Sequence, residues 1–243
     1  MQSLRPGGFS LLPPVIKNLL IINGLFFVAT FSLYNAEIVN LWSIFGLHFP
    51  ASDEFSPYQI VTHMFMHGTF GHLFFNMFAL WMFGNALENM WGGKKFLIFY
   101  LVTGFGASAI FMGIEAFTYF QNISQIPPEL IKNGIQEGAK YPPEYIGFIQ
   151  SAFNVLNTQV LGASGAVFGI LLAFGMTFPN QTVYLYFAIP IKVKYFVAGY
   201  GALELYSGIV NSNDGIAHTA HLGGMIVGYF LIRYWKKDQF RQY

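Results

Sequence analysis

Six long apolar stretches constrain this chain more than any other feature of its sequence. They cover about residues 15–34, 69–91, 95–120, 161–178, 193–210 and 216–235, and a helix needs about 20 apolar residues to cross a hydrocarbon core of about 30 Å. Of the 243 residues, 54% are hydrophobic and only 9% are charged, whereas soluble proteins carry about 25% charged residues. The sequence therefore predicts an all-α membrane protein, a bundle of six transmembrane helices that we number as spans one to six.

A single domain is predicted for residues 15–235, between a cytoplasmic N-terminal segment at 1–14 and a cytoplasmic tail at 236–243. Two long connections, at about 35–56 and 121–160, are expected to be outer loops, and the second has the pattern of one short helix near 144–153. Cysteine is absent, which excludes disulfides and a cysteine nucleophile. The net charge of +1 gives no reason to expect nucleic-acid binding.

The distribution of lysine and arginine predicts the orientation of the bundle, because these residues accumulate on the cytoplasmic side. In a six-span arrangement only Lys132 and Lys140 fall on the outer side. The other side carries Arg5, Lys17, Lys94, Lys95, Lys192, Lys194, Arg233, Lys236, Lys237 and Arg241. Both termini are therefore expected to be cytoplasmic. Since no transit peptide or retrieval signal is recognised, the expected location of this multi-pass protein is a bacterial plasma membrane.

Three of the predicted spans carry a polar group at the same depth. Polar side chains inside a membrane are costly and are functional candidates by default. Counting about 1.5 Å per residue from the cytoplasmic end of each span places Asn76, Ser164 and His221 about 21–23 Å above that end. This level is about 10 Å below the outer surface of the hydrocarbon core. Because three helices bring polar groups to one level, a single site is predicted.

Ser164 and His221 have the chemistry of a nucleophile and its general base, since a serine hydroxyl is a weak nucleophile until a neighbouring imidazole removes its proton. Taken alone, a serine in a span is more typical of helix packing, and a single histidine is more often structural. Gly165 and Gly224 each begin a pair of glycines spaced by four residues. Such pairs favour close approach of spans four and six, which would bring the two side chains together.

Attack on a carbonyl also requires donors for the developing oxyanion, and span two offers them. His72 and Asn76 are four residues apart and share one helical face. Backbone N–H groups in the first turn of span four could add a donor close to Ser164. One turn below, Phe168 could stack on the imidazole of His221, although core packing explains this residue equally well.

No carboxylate is found at this depth in spans two, four and six. The sequence therefore predicts a Ser–His dyad without an acidic third member. Glu88 lies near the cytoplasmic end of span two and is interpreted as structural. Glu115 and Glu204 lie toward the outer ends of spans three and five and are interpreted as interfacial. The imidazole would then be oriented by packing alone.

The motifs in these spans resemble those of the rhomboid family of intramembrane serine proteases, and they occur in the same order over about residues 56–235. The matching segments are the upstream histidines His63 and His67, the oxyanion motif His72-x-x-x-Asn76, the nucleophile motif Gly162-Ala-Ser164-Gly165 and the general-base motif Ala220-His221-Leu-Gly-Gly224. Some members carry Tyr at the position of Phe168, so this chain keeps the ring and lacks the hydroxyl.

The resemblance implies a serine endopeptidase that cuts transmembrane segments of other membrane proteins near the outer leaflet. Its partners would be these substrates and the lipid bilayer, and neither a metal nor another cofactor is expected. The site residues that the resemblance implies are Ser164 and His221 as the catalytic dyad, His72 and Asn76 as oxyanion donors, and Phe168, Gly162, Gly165 and Gly224 in support.

Two other classes of function remain as alternatives. A metalloprotease could use His63, His67 and His72, but the sequence has no H-E-x-x-H motif and no carboxylate at their level. The second alternative is a protein without catalytic activity, either an inactive relative that binds transmembrane helices or a small transporter. Transporters often contain internal repeats, and none is detected here.

Overall fold

A computed structural model of the chain describes residues 9–132, 134–136, 140–185, 188–210 and 216–240, and the side chains of 236–240 are not described. The helices of these residues are α1 (Pro14–Asn35), α2 (Leu41–Phe45), α3 (Gln59–Thr62), α4 (Phe70–Trp91), α5 (Gly93–Ile123), α6 (Pro128–Ile131), α7 (Ile146–Leu156), α8 (Ser164–Thr177), α9 (Val193–Val210) and α10 (His218–Phe240). The strands are β1 (Leu47–His48), β2 (Gln159–Val160), β3 (Thr182–Leu185) and β4 (Ile189–Lys192). Arg5 and Arg241, on which the predicted orientation partly depends, lie outside the described residues.

The long helices α1, α4, α5, α8, α9 and α10 coincide with the six predicted spans. The clearest difference is that α8 begins at Ser164 and not near Leu161, because Gly162 has a backbone conformation that no α-helix contains. Length and hydropathy alone identify α1 and α5 as able to cross a membrane, and α8 as a shorter apolar helix. The fold is thus that of an all-α membrane protein, and the crossing by all six helices remains a prediction.

Large apolar side chains are exposed around the outside of the bundle. Examples are Phe75 on α4, Phe117 on α5, Ile209 on α9 and Phe230 on α10, each of which is at least 65% exposed. An apolar surface of this extent is unfavourable in water. It is the surface expected of helices that face lipid chains.

The end of the bundle that is predicted to be cytoplasmic is held by Glu88, near the end of α4. Pro14 opens α1 with the backbone dihedral that the first turn of a helix requires. The Glu88 carboxylate accepts hydrogen bonds from the N–H groups of Val15 and Ile16, both at 2.9 Å, and so caps the otherwise unpaired start of α1. The structural interpretation of Glu88 is confirmed.

Helix α8 lies at the centre of the bundle, in contact with α4, α5, α9 and α10. Gly224 of α10 packs directly on α8, because a Cβ atom at this position would overlap the carbonyl oxygen of Gly165. One turn further along, a Cβ atom on Gly228 would lie 3.3 Å from the carbonyl oxygen of Gly169. The close approach of spans four and six that the glycine pairs predict is confirmed.

The outer loops hold the segment that leads into α8. Strand β1 pairs with β2 in antiparallel fashion, with Leu47 opposite Val160. The Gln159 side chain donates to the carbonyl of Trp42, Nε2 to O 2.6 Å. In the second outer loop, the short helix expected near 144–153 is present as α7, which packs against α5. The start of α8 is therefore fixed by both loops.

The connection between α8 and α9 contains an element that the sequence did not predict. Strands β3 and β4 form an antiparallel hairpin in which Thr182 pairs with Lys192. Its side chains are mostly exposed, and Tyr184 is 63% exposed. The hairpin lies at the end of the bundle opposite the start of α8.

Candidate active site

Ser164 is the first residue of α8, and the turn before it depends on Gly162. This glycine has a φ of +112°, which side chains of L-amino acids rarely adopt. A Cβ atom on Gly162 would also lie 2.7 Å from the ring of His72. The Gly162 N–H donates to the carbonyl of His63 at 2.8 Å. The first glycine of the G-x-S-G motif is therefore required by backbone conformation and by space.

The structure brings the predicted nucleophile and base into contact. The Nε2 atom of His221 lies 2.9 Å from the Oγ atom of Ser164. His221 is buried, while Ser164 is partly exposed. Because Ser164 occupies the first helical position, the backbone N–H groups of this turn have no partner within the helix. This arrangement can activate the hydroxyl and offers backbone donors beside it.

Phe168 lies against one face of the His221 imidazole. The two ring centroids are 4.3 Å apart and the rings are within 9° of parallel. Tyr200 of α9 packs on Phe168 in turn, with a centroid distance of 5.9 Å. The stacking predicted for Phe168 is present, so rotation of the imidazole out of this plane is blocked on one side.

The interpretation of Glu204 as interfacial is wrong. Its side chain is buried between α9 and α10, and its Oε2 atom lies 2.9 Å from Nδ1 of His221. The same oxygen lies 2.7 Å from Nδ1 of His218. The carboxylate missing from spans two, four and six is thus supplied by span five. Glu204 is thus a third group next to the predicted pair of Ser164 and His221. The imidazole is oriented by this carboxylate as well as by packing.

A signal for Glu204 was present in the sequence. It lies six residues before the end of α9 at Val210, which corresponds to about 9 Å below the outer end of the helix. This depth matches the level estimated for Ser164. A carboxylate within an apolar span is also a functional candidate by default, so counting the depth in span five would have identified it.

His72 and Asn76 lie beside the turn that precedes Ser164. A Cβ atom on Gly162 would be 2.7 Å from the His72 ring and 3.8 Å from Nδ2 of Asn76. Asn76 is buried, and one hydrogen of its amide is donated to the carbonyl of His72 at 3.1 Å. An amide carries two hydrogens, so the other can serve a different acceptor. Both residues therefore lie beside Gly162, and their role as oxyanion donors stays a prediction.

The upstream histidines are buried supports for this region. The carbonyl of Gln59 accepts a hydrogen bond from Nδ1 of His63 at 2.8 Å, and burial lowers the pKa of His63. The ring of His67 packs edge-on against His72, with centroids 5.0 Å apart. Burial, and secondarily the charge of His72, lowers the pKa of His67 to about 3. Both upstream histidines are therefore neutral at physiological pH.

Among the described residues, the group able to hold a metal ion is Glu204, His218 and His221, whose ligand atoms lie within 4.8 Å of one another. It is not the trio of His63, His67 and His72 considered from the sequence. Two histidines and a carboxylate are a known zinc ligand set. However, both Nδ1 atoms point at one carboxylate oxygen at hydrogen-bond distance, and a metal would require these nitrogens without their hydrogens.

Comparison with known proteins identifies related sequences. The family model described as the Rhomboid domain matches residues 54–131 and 144–237. RHOMBOID-like protein 12, mitochondrial, of Arabidopsis thaliana is 27% identical over 219 residues, which cover 85% of this chain and 57% of the relative. The rhomboid protease GluP of Bacillus subtilis is 28% identical over 178 residues, 71% of this chain and 25% of the relative. The rhomboid protease AarA of Providencia stuartii is 27% identical over 172 residues, 68% of this chain and 51% of the relative.

The similarity covers the site and most of the bundle. The chain spans about half the length of several of these relatives, and the interruption of the family match after residue 131 falls within the second outer loop. The relatives include mitochondrial proteins as well as bacterial proteases. This fits a membrane location, but the mitochondrial relatives conflict with the expectation of a bacterial plasma membrane. Since the family model matches well over half of its residues, this chain belongs to the rhomboid family.

Proposed function

We propose that the chain is a serine endopeptidase that hydrolyses peptide bonds in or near transmembrane segments. The observation that carries this proposal is the distance of 2.9 Å between His221 Nε2 and Ser164 Oγ. An imidazole nitrogen at this distance can take the hydroxyl proton as the oxygen attacks. Membership of a family that includes named bacterial proteases supports the same activity.

In the proposed mechanism, the proton of Ser164 Oγ moves to His221 Nε2 while Oγ forms a bond to the substrate carbonyl carbon. The carbonyl oxygen becomes an oxyanion, which accepts hydrogen bonds from His72, from Asn76 and from a backbone N–H in the first turn of α8. Collapse of the intermediate breaks the C–N bond, and the proton on Nε2 passes to the leaving amine. A water molecule then hydrolyses the acyl-enzyme by the same steps in reverse order.

The level of the site supports a transmembrane substrate. Helix α8 has 14 residues and is about 21 Å long, so it starts well inside a hydrocarbon core of about 30 Å. We propose residues 15–235 as the protease domain, with six spans, cytoplasmic termini and the site near the outer leaflet. The relatives include both mitochondrial and bacterial proteins, and membrane fractionation of the native host tests whether the compartment is a bacterial plasma membrane.

The activity is tested with purified protein in liposomes that also contain a single-span model substrate. We expect cleavage by the wild type, none by Ser164→Ala and a strongly reduced rate for His221→Ala. Addition of EDTA should leave the rate unchanged, because the proposed chemistry uses no metal. If the wild type cleaves none of several single-span substrates, the result would favour an inactive family member. Loss of cleavage with EDTA would favour a metalloprotease.

A further inference from the structure

We propose that Glu204 is a positioning residue for His221, so that the site operates as a Ser–His–Glu triad. This inference rests on the proposed function and adds a residue to it. Glu204 does not contact Ser164 or a substrate in this proposal. It acts through the imidazole, by fixing which nitrogen carries the proton and by stabilising the imidazolium that forms during attack.

The first support is that the contacts of His221 are on opposite ring nitrogens. Nδ1 lies 2.9 Å from Glu204 Oε2, and Nε2 lies 2.9 Å from Ser164 Oγ. An ionised carboxylate only accepts hydrogen bonds, so Nδ1 must carry the hydrogen in the neutral ring. The lone pair is then on Nε2, facing the hydroxyl. The hydrogen-bond network thereby selects the one tautomer of His221 that can act as a base toward Ser164.

The second support is that Glu204 has the surroundings of an ionised carboxylate. A buried charge is costly unless hydrogen bonds compensate for it. Glu204 is 9% exposed, and its Oε2 atom is within hydrogen-bond distance of His218 Nδ1 as well as His221 Nδ1. His218 is one helical turn before His221 on α10. It can therefore hold the carboxylate in place while His221 exchanges protons with the substrate.

The third support is the position of Glu204 on α9. Val193 and Val197 are buried, and Glu204 continues this face at helical spacing. Its neighbours Leu203 and Leu205 are 61% and 55% exposed. The helix thus directs Glu204 inward while the neighbouring leucines face outward, which is the reverse of the pattern in a soluble protein. Such an inversion is expected where a charged group serves a site inside a membrane protein.

A purely structural role for Glu204 would be to tie α9 to α10. The structural role and the proposed role predict different changes in catalytic rate when the charge of Glu204 is removed. Glu204→Gln keeps the size of the side chain, and its amide can still accept from Nδ1. If Glu204 acts through His221, we expect kcat to fall by about 10²–10⁴-fold. KM should change little, because the carboxylate does not bind substrate.

The dependence of kcat/KM on pH separates the two roles further. The titratable groups that face His221 are Glu204 from α9, His218 from α10 and His72 from α4. In Glu204→Gln the imidazole loses its charged partner at Nδ1 and keeps the contact of Nε2 with Ser164. The acidic limb of the pH profile should therefore change position in Glu204→Gln. A merely structural role would lower activity without moving this limb.

The decisive experiment measures cleavage kinetics and pH profiles for wild type, Ser164→Ala, Glu204→Gln and the control Glu115→Gln. Glu115 is a carboxylate on α5 outside the hydrogen-bond network of His221, and its variant should behave as wild type. Wild-type rates and an unmoved acidic limb in Glu204→Gln would overturn the triad and leave the protease intact. An inactive wild type would instead contradict the proposed function.

If Glu204→Gln does not fold, the proposal can still be tested by NMR spectroscopy of His221 in the protein with Glu204 intact. In protein labelled with ¹⁵N-histidine, the His221 resonances are assigned by their loss in His221→Gln. We expect the neutral ring to carry its proton on Nδ1 and none on Nε2. A proton on Nε2 in the neutral resting enzyme would contradict the proposed role of Glu204.

Discussion

The imidazole of His221 is contacted on both ring nitrogens and on one face. Ser164 lies at Nε2, Glu204 at Nδ1, and Phe168 is stacked on the ring. These contacts come from α8 and α9, and the histidine itself is on α10. A general base is effective only when its lone pair is aimed at the proton that it removes. The three contacts together leave the ring one orientation, with Nε2 toward Ser164.

Asn76 is the residue for which a purely structural role is easiest to test. If its amide stabilises the oxyanion, Asn76→Ala should lower kcat by about 10²-fold with little change in KM. The matched control is Asn85→Ala on the same helix, since the Asn85 amide bonds the carbonyl of Leu11 near the start of α1. That variant should lose stability and keep kcat. Equal kcat values for Asn76→Ala and wild type in cleavage assays would show that Asn76 contributes only to packing.

His67 predicts a pH dependence of stability. Its pKa is lowered from 6.5 to about 3 in the folded protein by burial, and its ring nitrogens have no hydrogen-bond partner within the described part of the chain. Between these two values the unfolded chain binds a proton that the folded chain does not. The free energy of unfolding should therefore fall as pH decreases below about 6.5, by about 1.4 kcal/mol per pH unit from this residue.

Thermal or denaturant unfolding in detergent between pH 7.5 and 5 measures this dependence. In His67→Phe the decline should be smaller by the contribution of one histidine, whereas His63, whose pKa is also lowered by burial, continues to contribute. Identical slopes for wild type and His67→Phe would show that His67 is not buried in its neutral form.

At the scale of elements, the contact between α8 and α10 determines whether the site forms. Gly224→Ala would place a methyl group against the carbonyl oxygen of Gly165, and relief of that overlap requires the helices to separate. We expect a loss of about 1–3 kcal/mol in stability and at least a tenfold loss of cleavage rate. The control is Gly113→Ala on α5, where a Cβ atom meets nothing within 4 Å. If Gly224→Ala and Gly113→Ala behave alike, close packing at Gly224 is not needed.

Most of the helical framework could be predicted from the sequence because the cost of placing backbone and polar groups in lipid sets the length and hydropathy of each helix. The same counting predicts a common depth for Ser164, His221 and Asn76, and the contact between Ser164 and His221 agrees with it. The start of α8 did not, since apolarity continues through Leu161 while the backbone at Gly162 is not helical. The β3–β4 hairpin was not predicted because this exposed connection has no hydrophobic face. The sequence therefore shows no recognisable period of apolar residues there.

The role of Glu204 could not be assigned from hydropathy because α9 is apolar around its whole circumference. In water, the buried face of a helix differs from the exposed face in polarity. In lipid both faces are apolar, and here the buried Val197 and the exposed Leu203 and Leu205 are indistinguishable by hydropathy. The direction of the Glu204 side chain thus depends on how α9 packs against α8 and α10.

For the whole molecule, the predicted orientation can be tested because the chain has no cysteine. Asp53 in the first outer loop and Thr182 in the β3–β4 hairpin are both exposed, and each can be replaced by cysteine separately. In intact cells, a membrane-impermeant maleimide should label Asp53→Cys, and it should label Thr182→Cys only after permeabilisation. The reverse pattern would contradict the orientation with cytoplasmic termini.

The central claim is that Ser164 is a nucleophile activated by His221. The most direct measurement is reaction of the detergent-solubilised protein with a fluorophosphonate probe, followed by mass spectrometry of the modified peptide. We predict a single adduct on Ser164, absent in Ser164→Ala and formed much more slowly in His221→Ala. An unmodified wild-type protein, or an adduct on another residue that persists in Ser164→Ala, would contradict the claim.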